Sequence, residues 1–208
     1  GEKVSDVQGI VNCKSDCEFM LFSAKLSQDS EVNVKLQTDE KGRNILLETN
    51  DAGKLLNVLD SSDRIIGGKL KIEALQKKGE ADYLADFELK SFSVARVKLF
   101  NELSKIKAFS WVEEELIKNG KVYFETGRGK MRMMERNVEL TNFAASGNLV
   151  GITSKGNIDL NAHNLDLEGV LVPAYKINSL LGLKNIPFVG KILTGGEGEG
   201  LFSVSYKM

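Results

Sequence analysis

Runs of about 18 apolar residues, the length a membrane-crossing helix needs, are missing from this chain, so no single helical segment of it spans a bilayer. The first residues, GEKVSDVQGIVNC, lack the apolar core of a signal peptide. An excess of basic charge is missing too. Lys and Arg number 28 against 29 Asp and Glu, interleaved along the chain, and no stretch offers the positive surface that nucleic-acid phosphates require. Histidine occurs once, as His163, with no G-x-S-x-G elbow to accompany it, so it reads as a surface residue and not as part of a hydrolase triad.

Cysteine occurs twice, as Cys13 and Cys17, and one distant histidine does not complete a metal site around them. Two readings stay open for the pair: free thiols, or a disulfide closed across a hairpin whose loop is Lys14-Ser15-Asp16. The glycine patterns do not make phosphate loops. Gly195 to Gly200 (GGEGEG) holds two glutamates that would repel a phosphate. Gly151 to Gly156 has the glycine spacing of a P-loop without its lysine and hydroxyl, and reads as a turn. Glu113, Glu114 and Glu115 suit the positive end of a helix better than an acid site. No cofactor, metal or catalytic residue is expected.

What the chain does have is alternation. With 42% hydrophobic and 27% charged residues it has the composition of a folded protein. Val32, Val34 and Leu36 alternate with Glu31, Asn33, Lys35 and Gln37, the signature of a half-buried strand, and Arg43 to Thr49 returns after the turn Asp39 to Gly42. Leu70, Ile72 and Ala74 are answered by Ala81, Tyr83, Ala85, Phe87 and Leu89 across Lys77-Lys78-Gly79. Further strands are expected at 121–126, 130–136, 138–144, 148–153, 156–162 and 165–172, with turns at Gly127-Arg128-Gly129, Gly147, Lys155-Gly156 and His163-Asn164. In the last of these, Ile158, Leu160, Leu165 and Leu167 alternate with Asn157, Asp159, Asn161 and Asp166. Met131, Met133 and Met134 read as packing residues.

Three helical insertions interrupt this pattern, at about 51–59, 93–118 and 174–194. The first starts at Asn50-Asp51 and sets Leu55, Leu56 and Leu59 on one face. In the second, Ser93 caps a run with Ala95, Leu99, Leu103 and Ile106 at helical spacing, Ser110 with Glu113 forms a capping box for a further helix, and Asn119-Gly120 stops that one. In the third, Ile177, Leu180 and Leu181 share a side of one short helix, and Ile186, Val189, Ile192 and Leu193 share a side of the next. The expected fold is mainly β: a long, curved antiparallel sheet, groove-like or taco-like, in a single domain over 1–208. Both ends look cut, so the chain reads as a piece of a longer protein.

Leu171 to Leu181 (LVPAYKINSLL) and Ile186 to Phe202 (IPFVGKILTGGEGEGLF) closely resemble the C-terminal region of bacterial AsmA-like envelope proteins. Asp51 to Leu56 (DAGKLL), Gly67 to Leu70 (GGKL) and Gly156 to Leu160 (GNIDL) are similar to that family as well. The likeness covers roughly Asn50 to Lys207 and is poor in the first forty residues. It implies a periplasmic protein held in the inner membrane of a Gram-negative bacterium by a helix outside this chain. It also implies an apolar β-groove that carries phospholipid between inner and outer membranes, with no catalytic residues. On that reading the acyl chains meet Val32, Val34, Leu36, Leu70, Ile72, Tyr83, Phe87, Ile158, Leu160, Leu165 and Leu167. Ile177, Leu180, Leu181, Ile186, Phe188, Val189, Ile192 and Leu193 then cap the groove or touch a membrane surface. The alternative is a structural spacer or a docking module for other envelope proteins, with a closed core.

Overall fold

Alternating apolar and polar side chains give an extended chain one greasy and one wet face, and nearly every segment of this chain alternates. The computed structural model describes residues 4–13, 17–59, 63–95, 118–148, 150–162, 164–173 and 204–207. Its elements, in chain order, are β1 (Ser5–Cys13), β2 (Cys17–Ser27), β3 (Ser30–Asp39), β4 (Gly42–Thr49), α1 (Ala52–Val58), β5 (Ile65–Lys77), β6 (Tyr83–Ala95), β7 (Lys121–Met133), β8 (Asn137–Ser146), β9 (Val150–Asp159), β10 (Asn164–Pro173) and β11 (Val204–Lys207). Each strand pairs antiparallel with the next, so sheet order equals chain order and β1 and β11 are the two edges. The antiparallel, mainly β fold expected from the alternation is what the chain adopts.

Short polar turns make this meander possible. Asp39 accepts the Lys41 and Gly42 amides at 2.8 and 3.2 Å, which closes the β3–β4 turn. Asp159 does the same for the Asn161 and Ala162 amides, both at 2.9 Å. The Lys77-Lys78-Gly79 turn forms as expected, with the Glu80 amide on the Lys77 carbonyl at 3.0 Å. Cys13 and Cys17 face each other across β1 and β2 and are joined as a disulfide, which resolves the two open readings.

Helix α1 begins where expected, with the Asp51 carboxylate accepting the Lys54 amide at 3.0 Å. The Lys54 ammonium donates to Ser27 at 2.7 Å and Ser30 at 3.1 Å, pinning the helix over the β2–β3 turn. Leu55 is buried, but Leu59 is 60% exposed. It lies past the last helical turn, and Val58 packs against the core instead.

Two expected turns are strand interior. Gly127-Arg128-Gly129 runs through the middle of β7 and Lys155-Gly156 through β9. These glycines mark places where another group comes close to the backbone, which a turn signal does not distinguish. A Cβ on Gly129 would stand 2.6 Å from the Phe87 ring. Ser93 and Ala95 also lie in a strand, β6, paired with Tyr123 and Lys121, because apolar neighbours on β7 outweigh the helical spacing. Lys118 and Asn119 are helical, and Gly120 follows at φ +65°, the expected left-handed stop. The rest of that insertion, the whole of 174–194 with its eight capping residues, His163 and the GGEGEG run lie outside the described residues.

The alternation changes phase along one line across three strands. On β5 the inward set moves from Ile65 to Gly68 and Leu70, on β6 from Leu89 to Phe92, and on β7 from Phe124 to Gly127. The line is built from left-handed residues: Gly67 at +66°, Gly68 at +94° and Ser91 at +54°. Gly68→Ala is expected to destabilise the fold by about 1–3 kcal/mol, since it adds strain at positive φ and sets a methyl 2.8 Å from Phe92 Cβ and 2.9 Å from Leu89 Cδ1. Gly79→Ala, where the methyl meets nothing within 4 Å, should cost less in the same urea titration, and equal costs would show that the packing at the crease contributes nothing.

Candidate functional site

Register decides which side chains share a face, and here it aligns apolar residues into rows across the strands. One row runs Phe22, Val34, Leu47, Ile72, Phe87, Gly129, Phe143. A second runs Met20, Leu36, Ile45, Ala74, Ala85, Met131, Leu140. A third, Ala24, Val32, Thr49, Leu70, Leu89, Gly127, Ala145, lies nearest α1. The same face continues through Gly156 and Leu167 and through the Ile158–Leu165 pair.

Nearly all the groove residues expected from the sequence are therefore brought together: Val32, Val34, Leu36, Leu70, Ile72, Phe87, Ile158 and Leu167, with Leu165 opposite Ile158 in register. Tyr83 stands at the polar margin, where its hydroxyl accepts from Arg43 at 3.5 Å. Leu160 does not belong. It lies in the turn after β9, 46% exposed, with its amide on the Arg136 carbonyl at 3.0 Å. Alternation alone missed Met20, Phe22, Ile45 and Leu47, because FMLF and ILL are continuous apolar runs whose inward members show only after pairing.

Burial along the face is graded. One end is closed: Val122, Phe124, Val150 and Leu171 are at most 1% exposed, and the Phe92 and Phe124 rings stack at 5.2 Å. Under α1, Ala24, Leu26, Val32 and Leu55 form a second buried cluster. Half-buried are Phe22, Val34 and Leu47, which pack against the α1 cluster, Phe143, which packs against the closed end, and Leu36, Ile45, Ile72, Phe87 and Met131. Phe87 and Phe143 stack at 5.8 Å on either side of Gly129, whose missing side chain lets them meet. Among the described residues, α1 is the helix that packs on this face.

The opposite face is wet. Glu88 takes Arg128 Nε at 2.7 Å and Lys90 Nζ at 2.7 Å; Lys130 reaches Asp86 at 3.1 Å, Arg132 reaches Asp82 at 2.6 Å, and Lys155 reaches Glu168 at 3.0 Å. Such exposed pairs contribute little to net stability, but they commit this face to water. A shallow depression of about 600 Å³ lies on it over Leu46, Leu75 and Leu84, rimmed by Lys35, Glu73 and Lys130. Among the described residues no group of His, Cys, Asp and Glu gathers as a metal site, and no helix is long and apolar enough to cross a membrane.

Comparison with protein-family models, curated proteins and solved structures gives no match. Function has to be read from this chain's own residues. Chemically, the half-buried rows can shelter hydrocarbon without directional bonds, while the ion-paired face stays hydrated.

The Lys90 ammonium and then the Arg128 guanidinium hold the Glu88 carboxyl below its ordinary 4.5. A carboxyl lowered by folding adds stability above its unfolded value and loses it as pH falls through the folded one, so this contribution fades below about pH 4.5. In an NMR titration of the Glu88 side chain, Lys90→Gln and Arg128→Gln should each raise the midpoint, Lys90→Gln more. An unmoved midpoint would mean that these cations do not act on Glu88.

Proposed function

We propose that the half-buried apolar face carries phospholipid across the bacterial periplasm, between inner and outer membranes, as the resemblance to AsmA-like envelope proteins implies. The observation that carries this reading is the set of in-register apolar rows, unbroken by charge from β2 to β8, of which the Phe22–Phe143 and Met20–Leu140 rows are half-buried over most of their length. With strands about 4.8 Å apart, the six intervals of those rows span about 30 Å. Acyl chains laid along the rows gain about 0.8 kcal/mol per buried methylene, while the head group stays at the wet margin near Arg43 and Tyr83. Because the contact is non-directional, a lipid moves from strand to strand without a deep trap. The sheet curves around it as a groove, and no bond is made or broken.

The Cys13–Cys17 disulfide supports a location outside the reducing cytoplasm, since such bonds persist in oxidising compartments. The inner-membrane anchor belongs to the same reading and rests on the resemblance.

A second reading has its own observation. The closed cluster of Val122, Phe124, Val150 and Leu171 is a dry core of the kind a spacer or docking module for envelope partners needs. Both readings are tested by the same titration. Delipidated protein is mixed with phospholipid vesicles, recovered, and its bound lipid counted by mass spectrometry. Phospholipid carriage predicts stoichiometric uptake that falls at least tenfold in Val34→Glu or Ile72→Glu, with Leu84→Glu on the wet face unaffected. Absence of uptake by the wild-type chain would leave the spacer reading.

A further inference from the structure

The ion-paired face is not polar throughout. Leu75 and Leu84 are paired across β5 and β6, and Leu46 on β4, opposite Glu73, stands diagonal to Leu75. Leu84 is 46% exposed and the other two are half-buried. Together they floor the depression of about 600 Å³ on this face. That volume falls within the roughly 300–1,000 Å³ of small-molecule sites, which are mostly apolar with a few placed polar groups. The charges around the floor are matched except on one side. Lys130 pairs with Asp86 at 3.1 Å, and Glu73 pairs with Lys71 at 3.0 Å. Lys35 and Gln37 border the depression from β3, two residues apart and therefore on the same side of the strand. Among the described residues neither of these two side chains has a hydrogen bond or an ion pair.

We propose that this depression binds an amphipathic monocarboxylate, an apolar chain ended by one carboxylate. Leu46 is the cross-strand neighbour of Lys35, so a chain laid over Leu84, Leu75 and Leu46 brings its end to the Lys35 ammonium. The two carboxylate oxygens then accept from Lys35 and from the Gln37 amide, and the bond to the ammonium is charge-assisted. One negative charge meets the one unmatched cation of the rim, whereas a cationic head would face Lys35 as a like charge. The leucines supply non-directional burial, and the shallow form of the depression leaves the head group in water. The site lies on the face opposite the half-buried rows and is independent of what those rows carry.

Decanoate, kept below its micellar concentration, is the probe, and the side-chain methyl NMR signals of the whole chain give the reading. It should shift the methyls of Leu46, Leu75 and Leu84 saturably, with one equivalent bound. Decanol, the same chain without the charge, should bind there about tenfold more weakly, and Lys35→Gln should lower decanoate affinity by about the same factor while leaving decanol unchanged. Leu84→Glu, a change at a largely exposed side chain, should remove the decanoate shifts at Leu46 and Leu75 with unchanged circular dichroism. Shifts confined to the Val34 and Ile72 methyls of the opposite face overturn the proposal. So does decanol binding as tightly as decanoate, or an affinity that Lys35→Gln does not move.

Discussion

The structure depends on one constraint, the unbroken antiparallel ladder that fixes which residue faces which. Side chains alternate with a period of two, so a slip of one residue on any strand would send Val34 or Ile72 to water and bring a lysine or glutamate inward. The register holds because each hairpin is pinned locally, by Asp39, Asp159 and the Lys77–Glu80 turn, and because apolar side chains then meet across every ladder. Where the spacing must change, an extra residue absorbs it. In β8 the bulge around Thr141 and Asn142 leaves a Lys130 amide that the Asn142 side chain takes at 3.1 Å.

A single sheet this long cannot alternate in one phase from end to end and also close a core. The crease at Gly67-Gly68, Ser91 and Gly127 is where the two demands meet. On one side of it Phe92, Phe124 and Val122 pack to near-complete burial; on the other, Phe87, Ile72 and Val34 stay half-covered. The same backbone device thus separates a buried core from a half-buried apolar surface. Ser91 is not glycine, and its left-handed backbone is tolerated where β5 and β6 turn together.

The two faces use different physics. Hydrophobic burial is non-directional and sums over the rows, whereas the Glu88, Asp86 and Asp82 ion pairs are exposed and individually weak. Their effect is to make inversion of the sheet costly and to keep one face in water. At the sheet edge the contrast ends, because no residue of β1 is buried, and hydrogen bonding, the Asp6–Lys25 ion pair and the disulfide hold it to β2.

By itself the sequence determined the class of fold, the positions of most strands, the α1 cap at Asp51, the Lys77 to Gly79 hairpin and the helix stop at Gly120, because each of these follows from neighbours within a few residues. It also picked out Val32, Val34, Leu36, Leu70, Ile72 and Phe87 as one apolar face, since alternation is a local signal. Only the tertiary structure decided that Gly127 to Gly129 and Gly156 run inside strands, that Ser93 is strand and not a helix cap, that the two cysteines are bonded, and that Leu160 leaves the face while Phe22, Ile45 and Leu47 join it. A glycine permits a turn and a close approach equally well, and a continuous apolar run has no phase until a neighbouring strand supplies one. Those are properties of pairing, and pairing joins residues that the sequence keeps apart.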